Sequence, residues 1–294
     1  MADYLFVLPQ YILPHHALSR CIYRLTRLQQ PWLKNRLIKH FIRLYGIDMT
    51  IAQSADPQSY ADFNAFFTRA LKPGARPVAD DPRQVVSPVD GKISQIGAIT
   101  DGRIFQAKGR WFDLQTLLGG DSERAKLFHG GSFATIYLSP KDYHRIHMPL
   151  GGRLLESIYI PGRLFSVNDA TARTVPGLFA RNERLVALFD SDVGPMAMVP
   201  VGALFVSGIE TIWSGYIPRP PTTTVECNDY RSAAQPVVLA RSEEMGRFNM
   251  GSTVVLLFAA GQVEWAPTLQ AGDTVVLGQS LATCIVPNPS AESV

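Results

Sequence analysis

The sequence predicts an α+β protein: amphipathic helices at the N-terminus, then a mainly antiparallel β sandwich or barrel-like domain. Three observations predict it. Charge is segregated, because residues 1–47 hold seven basic side chains against one acidic one, a net +6, while the remainder is net −3. The apolar period changes from helical to alternating near residue 83. The chain, 294 residues and 46% apolar, is long and apolar enough for a sizeable core. We expect a helical membrane-docking region over 1–75 and a β-rich catalytic region over 76–294.

The N-terminal elements come first. Tyr4–Leu13 is apolar but interrupted by Pro9 and closed by Pro14. It falls short of the ~20 residues that span a bilayer. It also lacks the basic flank and small-residue cleavage site of a secretory signal, so it reads as an interfacial stretch. Arg20, Arg24 and Arg27 recur at i, i+4, i+7, and Arg36, Lys39 and Arg43 at i, i+3, i+7; each set lines one helical face. Lys34 completes the seven. Leu18, Ile22 and Leu25, then Leu33, Leu37, Phe41 and Leu44, supply apolar positions at similar spacing. Pro31 suits the first turn of the second helix, and Trp32 sits beside it.

Two basic amphipathic helices of this kind lie in a membrane interface, each cation contributing about 1 kcal/mol toward an anionic leaflet. The competing reading packs both apolar stripes on the protein's own core and leaves a solvated basic face. Nucleic acid is not expected, since no companion motif accompanies the basic stripe.

From residue 83 onward, Ser132–Leu138, Arg153–Ile160, Arg184–Asp190, Met196–Val206, Thr253–Phe258 and Asp273–Val276 read as strands bounded by turn residues. A short helix is expected near Leu114–Leu118, and the Pro- and Thr-rich stretch Tyr216–Pro236 reads as a flexible loop flanking the site. Cys21, Cys227 and Cys284 are scattered without a CxxC pair. They fit a reducing compartment and argue against a closed zinc site. Neither phosphate-binding glycine motif is present, so neither a nucleotide nor a pyridoxal cofactor is expected.

The chemistry gathers in three blocks. Gly251-Ser252-Thr253 opens the apolar run Val254–Phe258. Glycine offers no Cβ to hinder attack by the following hydroxyl on its carbonyl. An N→O acyl shift there gives an ester, and β-elimination then cuts the chain and leaves a keto-acyl group. Glu244–Met250 leads into this bond. Ser87-Pro88-Val89-Asp90-Gly91-Lys92-Ile93 holds Asp90 at a tight corner. Leu138–Pro149 carries His144 and His147, two of the six histidines, three apart between prolines; histidine exchanges a proton near neutral pH. Each block also reads plainly as a turn, a loop or structural histidines. Together, Asp, His and Ser have the logic of an oriented base that activates a hydroxyl. A Ser-His-Asp lipid hydrolase with an intact chain shares that logic, although Ser252 lacks the G-x-S-x-G elbow.

Here the chain resembles the bacterial phosphatidylserine decarboxylases. Ser87–Ile93, Tyr143–Pro149 and Glu244–Thr253 are similar to that family's signature blocks, as are residues 60–67, 159–162, 165–168, 178–184 and 201–203. Met250 stands where the family commonly has Leu, a volume-conserving change. The resemblance implies self-cleavage between Gly251 and Ser252, with Ser252 becoming a covalent pyruvoyl group. It implies that His147 takes the Ser252 proton, that Asp90 orients the imidazole, and that His144 serves decarboxylation. The substrate it implies is phosphatidylserine, converted to phosphatidylethanolamine through a Schiff base. It further implies large and small chains that stay associated, a homodimer, and a peripheral place at an anionic surface, the cytoplasmic face of the cell membrane.

Overall fold

Val254-Val255-Leu256-Leu257-Phe258 is apolar without a break because its strand, Ser252–Phe258, lies mid-sheet with both faces covered. The computed structural model describes residues 2–204, 208–217 and 224–285. It is an α+β chain built round one large antiparallel sheet. The strand order is Glu226–Asp229, Gly152–Ile160, Arg184–Ser191, Gly194–Val201, Ser252–Phe258, Ser132–Leu138, Gly91–Ala98 and Thr274–Val275, with Val238–Leu239 also pairing Gly152–Ile160. Ser252–Phe258 is therefore interior, in register with Leu138–Ser132 on one side and Val201–Met196 on the other.

Alternation assigns its side chains to two cores. Val255 and Leu257 join Phe133, Phe165 and Phe179 on one face. Val254, Leu256 and Phe258 join Ile136, Ile146, Met148 and Phe248 on the other. Each of these burials contributes about 1.5–3 kcal/mol. The second face is covered in part by a smaller sheet ordered Gly215–Tyr216, Ile209–Thr211, Glu244–Phe248, Arg145–His147. Both histidine-bearing and serine-bearing segments thus end on one side of the molecule.

The N-terminal helices are α1 (Ala2–Val7), α2 (His15–Leu25) and α3 (Pro31–Tyr45), with a 3-10 turn at Leu8–Tyr11. Pro31 occupies the first turn of α3, as its missing N–H allows, and Gly46 ends it at φ +61°. Next, α4 (Phe63–Phe67) is capped by the Asp62 carboxylate, which accepts from Ala65 N at 2.8 Å. The α3 stripe packs on it through Ile38 and Phe41 against Phe63 and Phe66.

Side-chain bonds tie the N-terminus to the β body. Arg173 pairs with Asp3 at 2.9 Å, Gln10 accepts from Ser166 N at 2.9 Å, and Arg163 donates to Tyr11 O at 2.8 Å.

The apolar stripes of the basic helices divide between core and surface. Part of each apolar stripe packs inward, yet Leu5, Phe6, Leu8 and Leu44 are exposed, with Ile12 at 85% and Trp32 at 71%. Arg20, Arg24, Arg36, Lys39 and Arg43 face solvent, while Arg27 lies over the Tyr23 ring. Lys34 leaves the basic set: it is buried and donates to Gln58 O and Tyr60 O. No described helix is long and apolar enough to cross a membrane.

The expected strands form, with Gly194–Val201 ending at Gly202 and Val206 lying outside the described residues. Helix Leu114–Leu117 is present. Helices Ser122–Lys126, Asp169–Thr174 and Leu178–Arg181 appear where strands dominate the pattern. The first two are held by the side-chain caps Asp121 and Asn168. The stretch Tyr216–Pro236 is not wholly loop, because Glu226–Asp229 adds an exposed edge strand to Gly152–Ile160; residues 218–223 lie outside the described residues.

Candidate active site

The chain entering Ser252 takes an unusual path. Met250 has φ +85° and Gly251 φ +30°. A left-handed conformation is free for glycine but costs a residue such as Met on the order of 1 kcal/mol or more. An added Cβ at Gly251 meets nothing within 4 Å, so conformation rather than space accounts for that glycine. Ser252 itself is 1% exposed, and its Oγ has no hydrogen-bond partner. Leaving a buried hydroxyl unpaired costs about 1–3 kcal/mol; the strained Met250 backbone and this orphaned hydroxyl are separated by Gly251 alone.

Two backbone links hold the histidine loop against this bond. Ser252 is in register with Leu138, the last residue of its strand. Beyond the intervening turn, Phe248 N donates to His144 O at 3.0 Å. Asp142 shapes that turn by accepting from Ser139 N and Ser139 Oγ, both at 2.7 Å.

His144 is fully buried with its ring 4.0 Å from that of Phe67. Its Nδ1 is 2.8 Å from Asp142 O, which fixes the proton there. Nε2 is left bare and unpartnered. Burial pushes its pKa down to about 3, so the ring is neutral at physiological pH.

His147 ends the short strand Arg145–His147, and its backbone N donates to Pro88 O at 2.9 Å, which joins the Asp90 block to the histidine block. Its Nδ1 donates to Ser242 O at 2.8 Å, leaving Nε2 to accept from Tyr143 OH at 3.1 Å. Burial pushes the His147 pKa down, opposed by Ser242 O and by the charges of Glu244 and Asp90. Burial also raises the Tyr143 phenol, keeping it a donor.

Asp90 corrects a sequence expectation. It does not hydrogen-bond His147. Arg76 grips its carboxylate, with Nε 2.8 Å from Oδ1 and Nη2 on Oδ2, and Leu277 N donates to Oδ1 at 2.8 Å. A carboxylate this buried needs a cation, and Arg76, 14 residues upstream, supplies it; no local pattern marks that residue. A Cβ at Gly91 would lie 2.6 Å from Tyr137 O, so close strand approach requires glycine there.

A cavity of about 380 Å³ reaches Gly251 and Ser252. Tyr137, Leu138 and Val167 line it from the β body, and Phe6, Gln10 and Leu13 from the N-terminal helices. The sequence reading missed these last three, whose only signal was the apolar stretch itself. Among the described residues no group of three or more His, Cys, Asp or Glu is placed to hold a metal ion. A prosthetic group made from Ser252 would fit here, since its orphaned Oγ follows the left-handed Met250 and Gly251 and the residue borders a largely apolar cavity.

A family model described as phosphatidylserine decarboxylase matches residues 63–283, and one described as PSD matches residues 5–46. A phosphatidylserine decarboxylase proenzyme of Stutzerimonas stutzeri is 52% identical over 295 residues, covering 100% of this chain and 99% of its own length. Proteins of the same name from Ectopseudomonas mendocina and Bordetella pertussis are 55% and 54% identical, covering 96% and 95% of this chain and 98% and 94% of their own lengths. The chain belongs to the phosphatidylserine decarboxylase family.

Proposed function

We propose that this protein decarboxylates phosphatidylserine to phosphatidylethanolamine with a pyruvoyl group that it makes from Ser252 by severing its own chain. The observation that carries the reading is the buried, unpartnered Ser252 Oγ directly after two residues of positive φ. In the first step Ser252 Oγ attacks the Gly251 carbonyl carbon, forming a C–O bond as the C–N bond breaks. Loss of the Ser252 α-proton then expels the Gly251 carboxylate. The remaining enamine hydrolyses with release of ammonia and leaves a pyruvoyl group at residue 252.

His147 Nε2 is the base for the hydroxyl proton, reached when Tyr143 yields its hydrogen bond. Asp90 favours the charged imidazole through space rather than through a direct bond. Once formed, the pyruvoyl carbonyl supplies an electron sink for the carbanion left as CO₂ departs. His144, neutral and with a bare Nε2, holds and returns a proton at the substrate Cα. The apolar cavity excludes water and favours the uncharged substrate amine.

Membrane docking follows from the same cavity. Phe6 and Leu13 line it, while Leu5, Leu8 and Ile12 beside them are exposed. Lipid therefore enters from a leaflet on which the helices lie peripherally, with Arg20, Arg24, Arg36, Lys39 and Arg43 facing anionic headgroups, at the cytoplasmic face of the cell membrane. The intact-chain hydrolase is disfavoured because Ser252 lacks the G-x-S-x-G elbow.

Denaturing intact-mass measurement tests the reading. Two fragments are expected, residues 1–251 and 252–294, the smaller without a free amine; one full-length mass overturns it. The native mass of the same sample reads whether the chains remain together and whether they form a homodimer.

A further inference from the structure

A second cavity, of about 300 Å³, lies apart from the first and shares no lining residue with it. Its wall includes Gln53, Tyr60 and three arginines, Arg69, Arg145 and Arg247. Two of those charges are compensated. Arg145 Nη1 bonds Glu244 at 2.8 Å, and Arg247 Nη2 bonds Glu210. Each of these arginines keeps its other terminal nitrogen.

The third charge has no direct ion pair among the described residues: its guanidinium lies 5.5 Å from the centre of the Phe66 ring, and Asp90 and Asp142 act on it only through space. Arg69 is 3% exposed, and its side chain makes one hydrogen bond among the described residues, from Nη2 to Lys141 O at 3.3 Å. Its Nε and Nη1 are buried without partners, and no carboxylate forms an ion pair with it, among the described residues. A guanidinium withdrawn from water with donors unused is costly unless an anion completes it.

We propose that this cavity is a binding site for a phosphate group, gripped by Arg69 and flanked by Arg145 and Arg247. Guanidinium forks match phosphate oxygens in pairs. Here the forks come from three separate segments, which suits a tetrahedral oxyanion better than a planar carboxylate. The volume exceeds that of an ion, so the group is either free phosphate or the headgroup phosphate of a lipid. The site also lies between two functional regions. Lys34 of α3 pins the wall at Gln58 and Tyr60. On the other side, Arg69 holds Lys141 O and Arg145 directly follows His144. An anion held there braces the docking helices and the histidine loop together.

Thermal unfolding of the purified protein in sodium phosphate, against sodium chloride of equal ionic strength, is the test. With a dissociation constant of about 1 mM, about 30 mM phosphate contributes about 2 kcal/mol and raises Tm by roughly 4–8 °C over chloride. Arg69→Gln removes the difference and Arg69→Lys keeps part of it. An equal Tm in the two salts for the unaltered protein overturns the proposal, whatever the variants do. Flotation on phosphatidylglycerol vesicles separates the two sources. Binding weakened both by free phosphate and by Arg69→Gln identifies a lipid headgroup. Unchanged flotation beside a phosphate-specific Tm shift identifies the soluble anion.

Discussion

Replacing Arg76 with Met strips Asp90 of its cation while leaving the carboxylate buried. The side chains of the pair are 19% and 7% exposed, and the guanidinium reaches both carboxylate oxygens. Breaking a buried pair by removing one partner costs about 3–5 kcal/mol. Leu277 N still donates to Oδ1, so the lower figure, about 3 kcal/mol, applies. At about 2–4 °C per kcal/mol for a chain of this size, Tm falls by roughly 6–12 °C. Thermal unfolding is best read in a Ser252→Ala background, where the chain stays single. Adding Asp90→Asn to Arg76→Met removes the stranded charge and restores most of the loss, a strongly non-additive cycle. A single variant within 1 °C of its parent, or a double variant equal to the sum of the singles, refutes the argument that Arg76 rather than His147 is Asp90's partner.

Three further outcomes are expected. Met250→Gly relaxes the left-handed turn before the scissile bond, so the rate of self-cleavage after cell-free synthesis falls several-fold; an unchanged rate removes strain from the account. His144 titrates near 3 when folded against 6.5 when unfolded, so the unfolded chain binds the extra proton in that window. Its stabilising contribution is complete above pH 6.5 and is lost as pH falls below it. In urea, a Ser252→Ala chain loses about 2 kcal/mol more between pH 7.5 and 5 than the same chain carrying His144→Gln, and equal losses refute the neutral buried ring. Finally, Arg20, Arg24 and Arg27 changed together to Glu reduce flotation with anionic vesicles by at least tenfold, on about 1 kcal/mol per cation; undiminished flotation refutes docking by this face.

What local sequence could reveal was set by how local the cause is. The Ser252–Phe258 strand, the two basic helices and the serine and histidine blocks were legible because period and motif are short-range signals. Helices Asp169–Thr174 and Leu178–Arg181 were not, being only six and four residues long and held by a cap or by burial of Leu178 and Phe179. Arg76 on Asp90, Ser242 O on His147 and Gln10 at the cavity each depend on chain segments that meet only after folding. Lys34 reads as one more surface cation, and only the turn at Gln58–Tyr60 gives it a different task.

The position of Ser252–Phe258 between two neighbours has a consequence for the lifetime of the molecule. A cut ahead of that strand leaves the short piece wedged in the centre of a sheet belonging to the long piece, with Ser280–Cys284 further clasping Gln84–Val86. On the proposed cleavage, assembly is unimolecular before the break; after it, any molecule that unravels would have to find a separate partner and could not regenerate the original peptide link. Each copy would then be armed once.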